Sequence, residues 1–179
     1  REVPGAVLLA AEASLRAGAG KVQIATVESC AVALGLAIPE ARVMGFSEND
    51  KGDIEAHHAS AIQASIKPEE AVLLGPGMLD DEAAGELAAS LLASLQGPSF
   101  VLDAAALTGL RRSLQGVKKH AGRTVITPHA GEMATFLDMS RDDILANPKD
   151  AARRAAAVTG AVVVMKGSCT HIASPQGEL

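Results

Sequence analysis

Short apolar runs rich in Val, Ile and Leu alternate along the chain with longer Ala-rich stretches. This alternation is typical of buried strands separated by crossover helices in a parallel sheet. The runs that predict strands are 22–25, 43–46, 71–74, 100–102, 125–126, 161–165 and 170–174. The pattern therefore predicts an α/β fold, with a mostly parallel central sheet and helices on both of its faces.

Helices are predicted between these strands from Ala and Leu content, capping residues and glycine stops. They cover 6–16, 53–66, 80–95, 131–137 and 151–158. Asp53 is expected to cap the second helix, and His57 and His58 on its surface are interpreted as solvated. Thr127 is expected to cap the helix at 131–137, with Pro128 in the first helical position.

Length and composition predict one domain over residues 1–179. The chain has 179 residues and 48% hydrophobic residues, which suffices for one continuous core. It begins with Arg1 and ends with Leu179 just after a predicted strand and turn, so truncation at both ends is an expectation.

Charge and aromatic content exclude several classes of partner. The 16 Lys and Arg against 21 Asp and Glu give a net charge of -5 without a basic block, so nucleic acid is not expected to bind. With three Phe and no Tyr or Trp, the chain also lacks the stacking residues of carbohydrate and single-strand binders. A homo-oligomer remains open.

Two further observations favour a cytoplasmic protein. Cys30 and Cys169 match no metal or redox spacing, which indicates a reducing compartment. No apolar run approaches the ~18 residues that span a bilayer, so no membrane partner is expected.

The candidate chemistry lies where four predicted strands end. The segments that follow them are Gly75-Pro76-Gly77, Asp103, Thr127-Pro128-His129 and Lys166-Gly167. Ligands of open α/β sheets bind beyond the carboxyl ends of the strands, so these segments are expected to converge on one cleft.

Each segment also has a simpler interpretation. The glycines at 75 and 77 bring backbone close to a ligand or form a plain tight turn, and they lack the third glycine of a dinucleotide fingerprint. Gly20-Lys21 likewise lacks the flanking residues of a P-loop. Asp103 binds a substrate hydroxyl or a metal-bridged phosphate, or it caps the next helix. His129 donates to a ligand oxygen, or it is an exposed residue beside a capped helix. Glu132 faces the same cleft, or it interacts with the helix start.

The segment from Lys166 to Thr170 combines a cation, a glycine and two hydroxyls after a buried strand, which suits nucleotide phosphate or ribose. No His and Cys cluster has metal-ligand spacing, so no protein-held metal is expected. Mg²⁺ is expected to arrive with phosphates.

Read in order, the segments resemble the ADP/ATP-dependent NAD(P)H-hydrate dehydratases of the ribokinase-like superfamily. The residues that carry the resemblance are Pro4-Gly5-Ala6, Ala17-Gly18-Ala19-Gly20, Gly75-Pro76-Gly77, Val101-Leu102-Asp103-Ala104, Thr127-Pro128-His129-Ala130-Gly131-Glu132 and Lys166-Gly167-Ser168-Cys169-Thr170. The resemblance implies a ribokinase-like fold and a hydro-lyase that repairs hydrated NADH or NADPH. ADP or ATP would phosphorylate the ring hydroxyl, and phosphate would then be eliminated.

The resemblance also assigns residues to the two ligands. Ala6, Gly75, Gly77 and His129 match positions associated with the hydrated dinucleotide, and Asp103 and Glu132 are added to that substrate site. The nucleotide loop is matched by Lys166, Gly167, Ser168 and Thr170.

Departures from the family pattern leave two other functions open. Family members carry a Gly-Thr-Gly-Asp segment with the catalytic Asp after the Lys-Gly-x-x-Thr strand, and the 179 residues stop before it, so they are expected to be inactive by themselves. In addition, Ala105 replaces an Asp, Ala130 replaces a Pro and Leu79 replaces a Gly. A ribokinase-like small-molecule kinase and a non-catalytic nucleotide-binding paralogue are the alternatives.

Overall fold

Within residues 3–68, 70–110 and 114–178, which the computed structural model describes, seven strands form two sheets. Strands β1 (Val22–Val27) and β2 (Ala41–Phe46) pair in parallel. The second sheet has the order β3 (Ala71–Leu74), β4 (Ser99–Leu102), β5 (Thr124–Ile126), β6 (Val162–Met165) and β7 (His171–Ala173). Strands β3 to β6 are parallel and β7 is antiparallel to β6, so the predicted mostly parallel sheet is confirmed.

Helices precede β1 and connect the parallel strands, including the β1–β2 and β4–β5 connections, where the sequence predicts none. They are α1 (Pro4–Arg16), α2 (Glu28–Ala37), α3 (Ala59–Gln63), α4 (Asp81–Ser94), α5 (Ala105–Thr108), α6 (Leu114–Lys119), α7 (Ala130–Leu137), α8 (Arg141–Ala146) and α9 (Pro148–Thr159). Asp80 caps α4 by accepting the N–H of Glu82, and Gly160 ends α9 in the left-handed conformation. These stop and start residues place the strands that follow.

The helix predicted over 53–66 is wrong in extent and in its cap. Only a short 3₁₀ turn at Ala56–His58 and the five-residue α3 form there. Asp53 is buried and instead accepts the backbone N–H groups of Leu79 and Asp80, because a buried carboxylate needs donors that its own segment does not supply.

The two neighbouring histidines have different environments. His57 is exposed and pairs with Glu55, as expected for a solvated side chain. His58 is half-buried: its Nε2 lies 2.7 Å from Ser47 Oγ and its ring packs on Phe46. The prediction that His58 is solvated is therefore wrong.

Side chains of the two sheets pack into cores on opposite faces. On β1, Ile24 packs against α1 and α2, whereas Val27 belongs to the main core with Ile62. The main core covers one face of the larger sheet, where Phe100, Leu102, Ile126 and Val163 are buried. Helices therefore lie on both faces of the smaller sheet, whereas on the second face of the larger sheet Leu73 and Ile172 are 44% and 56% exposed.

The edges of β1 and β3 face each other across a cavity of about 650 Å³. Every residue of both strands lines it, and because consecutive strand residues point to opposite faces, the cavity lies between the strand edges rather than on a sheet face. It reaches the turn at 75–77 but not Asp103, His129 or Lys166. Of the predicted site residues, Gly75 and Gly77 line this cavity, and the others lie outside its lining.

Candidate functional site

The turn at 75–77 follows β3 and requires glycine at both of its ends. Gly75 has φ +114°, and a Cβ there would lie 1.8 Å from the backbone oxygen of Asp103. Gly77 has φ +81°, and a Cβ there would lie 2.9 Å from the oxygen of Val3 and 3.2 Å from Cβ of Ala6. The turn thus joins the start of α1 to the end of β4, and only a residue without a side chain fits either approach.

Asp103 follows β4 and makes the central polar contacts of this edge. Its N–H donates to Leu74 O at 3.0 Å. Its Oδ1 accepts from Lys166 Nζ at 2.5 Å and from Thr127 Oγ1 at 2.7 Å. The carboxylate therefore joins β4, β5 and β6, although Asp103 and Lys166 are 63 residues apart in the chain.

The electrostatics of Asp103 favour its ionised form. Burial raises the pKa of Asp103, but the hydrogen bonds from Lys166 and Thr127 and the positive charge of Lys166 outweigh it, so the pKa lies below its ordinary value. The alternative that Asp103 caps the next helix is not supported, because the N-cap of α5 is Ala104, without a side-chain cap.

Ala104 adopts an unusual backbone conformation beside this carboxylate. Its φ is +48° and its ψ is −128°, a region that L-residues rarely adopt. Such strain costs about 1–3 kcal/mol and persists only where surrounding structure enforces it. Here Gly75 packs against the backbone oxygen of Asp103, the residue before Ala104.

His129, not Thr127, caps α7, so the predicted cap is wrong by two residues. His129 Nδ1 accepts the N–H groups of Gly131 and Glu132 at 2.9 and 3.1 Å. Glu132 Oε2 accepts the N–H of His129 at 2.7 Å, which completes a capping box. Pro128 is buried before the helix, which begins at Ala130.

This cap fixes the proton on the imidazole of His129. Because Nδ1 accepts two N–H groups, the neutral ring carries its proton on Nε2, as inferred from these partners. Nε2 lies 3.5 Å from Glu132 Oε1, and the His129 side chain is 59% exposed. The exposed Nε2–H is the donor that His129 can offer to a ligand oxygen.

Lys166 lies directly beside the start of α7. Its N–H donates to Pro128 O at 2.8 Å, and Lys166 forms a parallel bridge with His129. Gly167, Ser168 and Thr170 follow in an exposed bend before β7. The structure thus brings Lys166 and His129 to the same edge, which is where the sequence places their cleft.

Seven of the ten predicted site residues are linked by contacts along this edge, and Gly167, Ser168 and Thr170 follow Lys166 in the chain. Contacts run from Ala6 through Gly77 and Gly75 to Asp103, and from there to Lys166. Lys166 is followed by Gly167, Ser168 and Thr170 and is bridged to His129, which contacts Glu132. The sequence does not predict the hydrogen bond from Thr127 to Asp103, because a Thr before a helix is first interpreted as its cap.

Two further carboxylates, those of Asp53 and Asp80, stabilise the segment that follows the turn. Asp53 Oδ2 accepts the N–H of Leu79 at 2.7 Å, and Lys51 Nζ lies 3.1 Å from Asp80 Oδ1. The hydrogen bond from Lys51 is the largest effect on Asp80 and outweighs its burial, so the pKa of Asp80 lies below its ordinary value. These bonds hold the residues that connect Gly77 to α4.

Comparison with known proteins decides the family. The chain matches the family described as NAD(P)H-hydrate dehydratase over residues 1–179. The chain belongs to the NAD(P)H-hydrate dehydratase family. Within that family, it is 40% identical over 177 residues to the ADP-dependent (S)-NAD(P)H-hydrate dehydratase of Xanthomonas campestris pv. campestris, and this match covers 99% of the chain and 59% of the relative.

Solved structures agree with the family and with the ribokinase-like fold. The ADP/ATP-dependent NAD(P)H-hydrate dehydratase of Bacillus subtilis, co-crystallised with ATP and Mg²⁺, matches with a TM-score of 0.72 and 26% identity, over 98% of this chain and 58% of that one. A ribokinase-like superfamily protein of Enterococcus faecalis V583 matches with a TM-score of 0.73 and 25% identity, over 96% of this chain and 56% of that one. The chain spans less than two thirds of each relative.

Two departures from the NAD(P)H-hydrate dehydratase pattern have structural explanations. Ala130, which stands in place of a Pro, occupies the first position of α7. Pro suits that position, and Ala, a good helix former, also fits it. Ala105 is buried at the start of α5, where a small apolar side chain fits. Among the described residues, no helix is long and apolar enough to cross a membrane.

Proposed function

We propose that this chain binds ADP or ATP together with hydrated NADH or NADPH, and that it carries the ligand-binding edge of an NAD(P)H-hydrate dehydratase that acts in the cytoplasm. The observation that carries the proposal is the placement of Asp103, His129 and Lys166 at one sheet edge, linked through Lys166. Membership of the family supports it, and so does the likeness to the Bacillus subtilis enzyme, which was co-crystallised with ATP and Mg²⁺.

The proposed reaction has two steps. The terminal phosphoryl group of the nucleotide passes to the hydroxyl oxygen of the hydrated ring, and the hydroxyl loses its proton. The carbon–oxygen bond then breaks, phosphate leaves with the electron pair, and loss of a proton from the ring restores the double bond. With ADP, the products are AMP, phosphate and NAD(P)H.

The residues have separate tasks in this proposal. The Gly75–Gly77 turn and Ala6 present backbone and a small side chain to the dinucleotide, and His129 donates from Nε2 to one of its oxygens. Lys166 offers its ammonium to the nucleotide phosphate, and the exposed bend from Gly167 to Thr170 accommodates the rest of the nucleotide.

Mg²⁺ is proposed to enter with the nucleotide. Among the described residues, no three His, Cys, Asp or Glu side chains are close enough to hold a metal ion. We therefore expect the Mg²⁺ to be bound mainly by phosphate oxygens and water, with at most one or two protein carboxylates. When bound, the ion would neutralise charge on the transferring phosphoryl group.

Calorimetric titration of the 179-residue chain with ADP, ATP and hydrated NADH tests the assignment. His129→Asn keeps a good helix cap but removes the Nε2 donor, and it should weaken the binding of hydrated NADH more than the binding of ADP. Lys166→Met keeps the apolar stem but removes the ammonium, and it should weaken the binding of ADP more than the binding of hydrated NADH. Equal losses for both ligands in both variants would contradict the proposal.

Activity distinguishes the dehydratase from the two alternatives. Production of NADH from hydrated NADH with ADP or ATP is expected of the complete protein. Phosphorylation of a small alcohol without that activity would instead indicate a kinase, and nucleotide binding without turnover would indicate the non-catalytic paralogue.

A further inference from the structure

Two donors of different rigidity meet on one oxygen of Asp103. Lys166 reaches Oδ1 with a side chain that is 43% exposed, at the end of four methylenes. Thr127 reaches the same oxygen from a half-buried position. The N–H of Thr127 donates to Leu102 O at 3.1 Å, so its backbone continues the ladder between β4 and β5.

The hydroxyl of Thr127 is directed by its surroundings to the carboxylate. It has one proton, and the alternative acceptor, Leu102 O, is 3.4 Å away, whereas Asp103 Oδ1 is 2.7 Å away. A β-branched side chain is also stiff at χ1, so the hydroxyl stays where the backbone puts it. Lys166, by contrast, can turn away without any backbone movement.

We propose that Thr127 is a positioning residue that keeps the Asp103 carboxylate paired and in place when Lys166 turns from it to a nucleotide phosphate. This inference rests on the proposed function, because it assigns Lys166 to the phosphate. Without the hydroxyl, departure of Lys166 would leave a partly buried carboxylate without a side-chain donor, which is unfavourable. Nucleotide affinity therefore depends on Thr127, which need not contact the nucleotide.

Three variants of the 179-residue chain test this role in ADP titrations. Thr127→Val is close in shape and lacks the hydroxyl, and it should weaken ADP binding about tenfold, the size of one charge-assisted hydrogen bond. Thr127→Ser restores the donor and should restore the affinity. Thr135→Val is the matched control, because the Thr135 hydroxyl donates to Gly131 O on the exposed surface of α7, and it should leave ADP binding unchanged.

A double-mutant cycle separates positioning from a general structural effect. In an Asp103→Asn background, no carboxylate needs a partner when Lys166 leaves, so Thr127→Val should have little further effect on ADP binding. An undiminished loss in that background would overturn the proposal, and so would a Thr127→Ser variant as weak as Thr127→Val. Thermal unfolding followed by circular dichroism confirms that each variant is folded.

The carboxyl resonance of Asp103, titrated by NMR, gives a second readout that does not need the nucleotide. Thr127→Val removes a donor to the ionised form and should raise the pKa of Asp103, whereas Thr127→Ser should not. If the unaltered chain does not bind ADP, the proposed function fails, and this titration still decides whether Thr127 positions Asp103. An Asp103 pKa that is the same in all three chains would overturn the inference.

Discussion

Replacement of Gly75 by Ala tests the closest backbone approach of the site. A Cβ at this position would lie 1.8 Å from the backbone oxygen of Asp103, 2.9 Å from its carbonyl carbon and 3.0 Å from Cβ of Ala106. Two of these atoms are backbone atoms, so rotation of a side chain cannot relieve the contact. Either β3 and β4 separate at their carboxyl ends or the Asp103 peptide turns.

The cost of this substitution has two parts. The left-handed φ of +114° costs any L-residue about 1–3 kcal/mol. The overlap adds about 1–3 kcal/mol, as overpacking of a tightly packed interior usually does. We expect Gly75→Ala to lower the free energy of unfolding by about 2–6 kcal/mol in total. Because the displaced peptide carries the Asp103 carboxylate, ADP binding should fall as well.

Gly18→Ala is a matched control for the conformational part. Gly18 has φ +103°, and a Cβ there would meet nothing within 4 Å. The free energy of unfolding of Gly18→Ala should therefore fall by only about 1–3 kcal/mol, and this variant should bind ADP normally. Urea unfolding of both variants measures the difference, which is the cost of the overlap alone. Equal losses in the two variants would refute the reasoning, because the site would then accommodate a methyl group against Asp103.

Two further predictions concern single residues near the site. Lys51→Met should remove about 1 kcal/mol of stability at neutral pH. The pKa of Asp80 is lower in the folded chain than in the unfolded chain. The stability from this pair is therefore present above the pKa of the unfolded chain and is lost as the pH falls through the pKa of the folded chain. If Lys51→Met lowered the stability as much in acid as at neutral pH, the assignment would be contradicted. Ala104→Gly should raise the free energy of unfolding by about 1 kcal/mol, since relief of strain exceeds the extra chain entropy of glycine; a thermal midpoint below that of the unaltered chain would show that Ala104 is not strained.

The larger sheet was predictable because its strands carry strong local signals. The run 71–74 is bounded by Gly75 and Pro76, and the run 161–165 follows the glycine that ends α9. Convergence of the strand ends then follows from a general rule about parallel sheets. The rule places Asp103 and Lys166 at one edge, but it does not pair them, because that contact depends on side-chain reach across two strands.

Helix α2 was not predicted because its sequence has almost no polar face. After Glu28 and Ser29 its residues are apolar or small all round, and Val32 and Leu36 are 75% and 80% exposed. Without an apolar stripe at a spacing of 3.6 residues, the segment gives no helical signal. Its buried residue, Leu34, packs into the smaller core with α1, which local patterning does not reveal.

The cap of α7 was predictable in principle, whereas the role of Asp53 was not. Glu132 lies three residues after His129, which is the spacing of a capping box, but the preference for Thr as a cap directed the prediction to Thr127. Asp53 has the residue type of a cap, yet it bonds to N–H groups 26 and 27 residues away. No local pattern encodes a contact of that separation.

Rigidity is distributed unequally between the backbone and the side chains of this edge. Asp103 is fixed by a ladder bond to Leu74 and by the close approach of Gly75, which no ligand can displace without breaking the sheet. Its ion pair with Lys166 joins side chains that are 27% and 43% exposed, and pairs of that exposure contribute only about 0–1 kcal/mol. A phosphate, which carries more charge than one carboxylate, can therefore capture Lys166 at small cost, while the carboxylate stays in place.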